Sequence, residues 1–134
     1  DIKCRKAGLQ PRLVVIVAGY TNEMKKFIDT NPGLQSRFNR YIHFPDYSSD
    51  DLYKIFRKYL KKNVSTITKE AAAYLKDRLD YAVEHKDRNF GNARFVRNVF
   101  EKTIQAQANR IAKAGKVPDN ELVEITLADV KNAI

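Results

Sequence analysis

The sequence predicts a mainly α fold with a partial α/β front. Three observations carry that reading: an uninterrupted β-branched run near the start, a second short extended stretch closed by a proline, and three long amphipathic patterns behind them. Leu13-Val-Val-Ile-Val-Ala18 has no polar alternation, as expected of a strand buried on both faces of a parallel sheet. After Ala18-Gly19-Tyr20-Thr21-Asn22 a short helical stretch ends near Asn31-Pro32-Gly33. Leu34 to Phe38 then leads to a second strand, Tyr41 to Phe44, which Pro45 ends. From Ser48 onward, Leu52, Ile55, Phe56, Tyr59 and Leu60 form one apolar helical stripe, and Ser48 with Asp51 three residues later supplies the N-cap signal. A second helix starts after Thr68 and presents Ala72, Leu75, Leu79, Ala82 and Val83. A third starts near Asn92 and presents Val96, Val99, Phe100, Ile104, Ala108 and Ile111. Gly115 to Glu124 reads as a polar connection, and Thr126-Leu-Ala-Asp129 caps a last short helix with Leu127, Val130 and Ile134 on its apolar side. Residues 1–12, punctuated by Gly8 and Pro11, have no period and read as a loop.

The organisation is lopsided, with a remnant of an α/β core over residues 1–46 and a helical subdomain over residues 47–134. A buried central strand normally lies between others in a doubly wound sheet, and this sequence supplies too few of them. The Leu13 run is therefore expected to drive self-association or strand exchange, or to leave the front loosely ordered, while the helical part is ordered best.

At 134 residues, 43% hydrophobic and 31% charged, the chain has the composition of one small globular domain or a piece of one. Its net charge of +9 divides into +4 over residues 1–46 and +5 over the remainder, so the excess is spread rather than held in a tail. That charge makes an anionic contact plausible without choosing among nucleotide phosphates, nucleic acid and an acidic protein. Cys4 is the single cysteine, which fits a reducing compartment and is read as cytoplasmic. The longest apolar run is far shorter than the roughly 20 residues of a membrane span, so no membrane partner is expected.

Three groups of residues suit phosphate chemistry. Thr21 and Asn22 follow the first strand, at the edge where open α/β sheets bind ligands; the plain alternative is a turn or helix-capping pair. Ser36-Arg37-Phe38-Asn39-Arg40 places two arginines before a strand, whose fixed charge and planar fork can offset charge on phosphate oxygens, or which can simply be solvated. Arg94, in the run from Phe90 to Asn98, lies in the first turn of a helix, where the dipole disfavours a cation. It either faces an anion, or extends into solvent or pairs with a carboxylate. His43 and His85 have no neighbouring ligands and read as structural, and Lys54, Arg57, Lys58, Lys61 and Lys62 read as a solvated face.

The blocks VVIVAGYTNEM, NPGLQSRFNRYIHFPDYS and FGNARFVRNVFE, in this order and at this spacing, resemble the AAA+ ATPases, in particular the group of stage V sporulation protein K and the red-type Rubisco activases. The resemblance covers residues 13–134 and implies an incomplete AAA+ α/β core of about two strands followed by a helical lid. It implies that Thr21, with Asn22 as the alternative, is sensor 1. Arg37 resembles the arginine finger that reaches a neighbouring subunit's nucleotide, Arg40 a second arginine nearby, and Arg94 sensor 2. It further implies ATP and Mg2+ in the full-length protein, a homo-oligomeric, hexameric ring and a protein substrate to remodel, with nucleic acid not expected as a partner. The chain lacks a GxxxxGK[ST] loop and a strand ending in paired acidic residues. The 134 residues are accordingly expected to be a fragment, inactive alone, with no nucleotide tightly bound and no metal ligands. A basic helical binding module for nucleic acid or an acidic protein is the competing reading; it accounts for the charge but needs none of the three blocks.

Overall fold

The computed structural model describes residues 13–134. The segment read as a loop, residues 1–12 with Cys4, lies outside them. The chain divides into two compact units, Asp1–Phe44 and Pro45–Ile134.

The described part of the first unit holds α1 (Thr21–Thr30) and α2 (Leu34–Arg37), packed on each other. The Asn31-Pro32-Gly33 turn separates them: Pro32 has no N–H to continue a helix, and Gly33 takes φ 85, which a residue with a Cβ resists. Asn31 Nδ2 closes the end of α1 by donating to the Phe27 carbonyl at 2.6 Å. The two stretches expected as strands are not strands. Residues 13–20 and 38–48 carry no regular secondary structure, and the Leu13–Ala18 run is not buried: Val14 is 81% and Ile16 85% exposed. A strand exists only through its ladder, and among the described residues this apolar run pairs with none.

The second unit is built on α3 (Ser49–Lys62), α4 (Lys69–Glu84) and α5 (Ala93–Ala114), with α6 (Asp119–Val123) and α7 (Leu127–Lys131) behind them. α3 packs against α4 and α5, and α7 closes over α4 and α5. The helix starts read from the sequence are capped. Ser48 Oγ accepts from the Asp51 N–H at 3.2 Å, Thr68 Oγ1 from the Ala71 N–H at 3.2 Å, and Thr126 with Asp129 forms a capping box. The core comprises Leu52, Phe56 and Leu60 of α3, Ala71, Leu75 and Leu79 of α4, Val96, Val99 and Phe100 of α5, and Ile125, Val130 and Ala133. Phe100 centres it, meeting the Phe56 ring edge-on at 5.4 Å and stacking on Tyr59 at 5.3 Å.

Two details differ from the periodic reading. Ala71, not Ala72, faces the core of α4, and in the second half of α5 the inner face is polar: Thr103 and Gln107 are buried while Ala108 is exposed. The reason is what α5 packs against there. The segment expected as a plain connection contains α6 and a strand, β2 (Glu124–Ile125), which pairs in parallel with β1 (Thr66–Ile67) in the register Thr66 to Glu124 and Ile67 to Ile125. Gln107 Nε2 donates to the carbonyls of Leu122 and Glu124, at 3.3 and 3.0 Å, so an amide satisfies backbone that an apolar side chain would leave unbonded.

Candidate functional site

Thr21 and Asn22 are the first two residues of α1, and both are exposed. The N-cap is Tyr20, which makes no side-chain cap bond, so neither Thr21 nor Asn22 is spent on capping. Their side chains make no hydrogen bond among the described residues.

Arg37 is the last residue of α2 and is exposed; Arg40 is exposed in the irregular stretch that follows. Between them Phe38 is half-buried, and its N–H donates to the Leu34 carbonyl at 2.8 Å, anchoring the turn. The Arg37 guanidinium folds back over Gly33: a Cβ at position 33 would come within 3.0 Å of Nη1. Glycine there serves both the left-handed turn and the space the guanidinium occupies.

Arg94 is the second residue of α5 and is exposed, with no acidic residue in that first turn. It has no ion-pair partner among the described residues, in contrast to Arg97, one turn on, whose Nε donates to Glu101 at 2.9 Å. A cation at a helix N-terminus opposes the dipole, so the placement is unfavourable until an anion arrives. The Arg94 N–H donates to the Gly91 carbonyl at 2.8 Å, closing a tight turn ahead of the helix.

Asn92 and Asp46 did not stand out in the sequence. Asn92 has φ 48 and ψ −119. Its Oδ1 accepts from the Tyr47 N–H at 3.0 Å and its Nδ2 donates to Asp46 Oδ1 at 2.8 Å, while Lys86 Nζ donates to Asp46 Oδ2 at 2.7 Å. The signal that points to Asn92 is a Gly-Asn pair directly before a helix, a turn signature that becomes informative only when the side chain's partners are known.

The first unit offers two exposed guanidinium groups, a hydroxyl and an amide, and the second unit one exposed guanidinium group, all donors of a kind that suits phosphate oxygens. They do not suit a divalent cation. Among the described residues no three His, Cys, Asp or Glu side chains gather as a metal site. A groove of about 520 Å³ between α5 and α7, lined by Lys102, Arg110, Lys113 and Asp129 among others, contains none of the five residues singled out from the sequence. Among the described residues no helix is long and apolar enough to cross a membrane.

A family model described as AAA lid domain matches residues 48–134. The chain is similar to stage V sporulation protein K of Bacillus subtilis (strain 168), 39% identical over 125 residues, which are 90% of this chain and 38% of that protein. It is similar to protein CbbX of Cereibacter sphaeroides, 36% identical over 117 residues, 87% of this chain and 37% of that one. It is also similar to the ESX-3 secretion system protein EccA3 of Mycobacterium tuberculosis (strain ATCC 25618 / H37Rv), 37% identical over 139 residues, 92% of this chain and 22% of that one. The chain thus spans well under half the length of these relatives.

Proposed function

The chain belongs to the AAA lid domain family, as the C-terminal portion of a AAA+ ATPase, and from that premise we propose that it supplies phosphate-contacting side chains to ATP sites in a ring of like subunits. Arg94 is the sensor-2 residue and meets the γ-phosphate of its own subunit's nucleotide. Arg37, supported by Arg40, is the finger directed at the nucleotide of the neighbouring subunit. Thr21, with Asn22 beside it, is the sensor-1 position. Guanidinium groups act here by stabilising the charge that develops on the transferring phosphoryl oxygens, a role that needs fixed cations rather than proton transfer. ATP and Mg2+ are the substrate and metal of the full-length protein. The described residues fit the phosphates and not the metal, so its ligands are sought elsewhere in that protein. Movement of the helical unit with nucleotide state would remodel a protein target.

The observation that carries this reading is Arg94 itself: exposed, without an ion-pair partner among the described residues, and set against the helix dipole within the matched family segment. The test is ATP hydrolysis by the natural full-length polypeptide bearing this sequence, with Arg37→Ala and Arg94→Ala. Each substitution is expected to lower turnover on the order of 10³-fold while folding and assembly are kept. Unchanged turnover in both would overturn the assignment.

A further inference from the structure

We infer that Asn92 is a positioning residue for Arg94, its side-chain amide latching the Asp46-Tyr47 segment, which leads into the helical unit, to the first turn of α5. The inference rests on the reading of Arg94 as a phosphate contact.

The backbone comes first. Gly91, Asn92, Ala93 and Arg94 form a turn closed by the Arg94 N–H to Gly91 O bond at 2.8 Å, and Asn92, at φ 48 and ψ −119, holds its second position. Those angles are close to the type II′ values, at which glycine is the residue of least strain. Asparagine is present instead, and its side chain explains the choice.

Asn92 is also the N-cap residue of α5, and asparagine is among the best N-caps, yet it makes no cap bond to its own helix. The amide turns back to the lead-in segment. Oδ1 takes the Tyr47 N–H and Nδ2 gives to Asp46 Oδ1, and a flipped amide would set two donors and two acceptors against each other. Lys86 Nζ, from the loop after α4, holds the other carboxylate oxygen of Asp46. The lead-in segment therefore meets the region from Lys86 to Asn92, 40 to 46 positions along the chain, at one carboxylate and one amide.

The same turn sets the direction in which α5 begins, and Arg94 is the residue whose N–H closes it. Releasing the latch frees the first turn of α5, and Arg94 with it, while the core further along the helix is untouched. Catalysis is sensitive to such displacement, since a shift of about 1 Å in a positioned group can cost about 10²-fold.

The experiment uses the natural full-length polypeptide with Asn92→Gly, Asn92→Asp, Asp46→Asn and the double exchange Asp46→Asn with Asn92→Asp, beside Arg94→Ala. Asn92→Gly suits the backbone conformation and removes only the latch. It should speed hydrogen exchange in peptides spanning Tyr47 by about tenfold or more, leave peptides spanning Phe56 and Leu75 protected, and lower kcat by about tenfold with KM little changed. Asn92→Asp sets two carboxylates together and should behave likewise. The double exchange restores a donor opposite an acceptor and should recover both exchange protection and kcat. Wild-type exchange at Tyr47 in Asn92→Gly would overturn the latch. Faster exchange with unaltered kcat, where Arg94→Ala does abolish turnover, would overturn the positioning role. Unaltered turnover in Arg94→Ala would overturn the reading of Arg94 and the positioning role with it, and the Tyr47 exchange would still report separately on the latch.

Discussion

Val64 sits where a helix C-terminus asks for glycine. Its N–H donates to the Lys61 carbonyl at 3.2 Å and the next N–H, of Ser65, to Leu60 at 2.9 Å, the paired bonds of a Schellman motif with Val64 at the left-handed position. Its φ is 53, and its side chain is exposed, so the branched Cβ bears the steric cost without a burial gain. Val64→Gly is expected to raise stability by about 1 kcal/mol, read as a higher urea midpoint at unchanged m-value; a lower midpoint would show that the side chain has a contact that outweighs the strain. Gly33 and Asn92 are the same problem solved with suitable residues. Gly33 has no Cβ to strain, and Asn92 tolerates positive φ while using its amide.

At the scale of elements, α5 and α7 are joined by one part-buried charge pair beside their apolar contacts. Asp129, only 1% exposed, accepts two bonds from Arg110: Nε to Oδ1 at 2.9 Å and Nη2 to Oδ2 at 3.0 Å. It also takes the Thr126 N–H and hydroxyl. Burial is the largest single influence and pushes the carboxyl's pKa up. The Arg110 bond and the two Thr126 bonds together outweigh it, and the net shift is downward from 3.8. A carboxyl held low in the folded state contributes stability that is fully present above its unfolded value and is lost as pH falls below about 4 toward the folded value. Asp129→Asn should therefore cost about 3 kcal/mol or more at neutral pH, because it leaves the Arg110 charge without its partner, and should flatten the loss of stability in acid. Thermal unfolding of both proteins across that pH range checks the slope. An equally steep acid loss in Asp129→Asn would assign the acid sensitivity to other carboxylates.

For the whole molecule, all twelve residues of the buried apolar cluster lie in the unit Pro45–Ile134, and its helices, caps and small parallel sheet satisfy one another. That unit is expected to fold without the first: residues 45–134 alone should show one cooperative thermal transition by circular dichroism, with coincident near- and far-ultraviolet curves. Helical signal without a near-ultraviolet transition would mean that the core needs the front to set its packing. In the first unit the Leu13–Ala18 run stands exposed, and Ile28 is the buried hydrophobic residue among those described.

The sequence by itself determined the helices and their starts. The apolar spacing of α3, α4 and α5 and the caps at Ser48, Thr68 and Thr126 act within one or two turns, so the chain writes them locally. It also carried, by the resemblance of three blocks, the five residues proposed for the site. The tertiary structure alone decided what depends on partners distant in sequence. A β-branched run is legible as a strand, but only a neighbour makes it one. Conversely, β1 and β2 are two residues each, too short for any period, and exist because α3, which packs on β1, and α5 and α6, which pack on β2, bring them together. Gln107 looked like an ordinary polar position, and Asp129 like a capping residue alone, until backbone and Arg110 surrounded them. Asn92 looked like a turn residue, and its partners, Asp46 and Tyr47, lie 46 and 45 positions earlier in the chain. Local propensity has no information about such pairs, since the free energy that selects them appears only when the chain has closed around them.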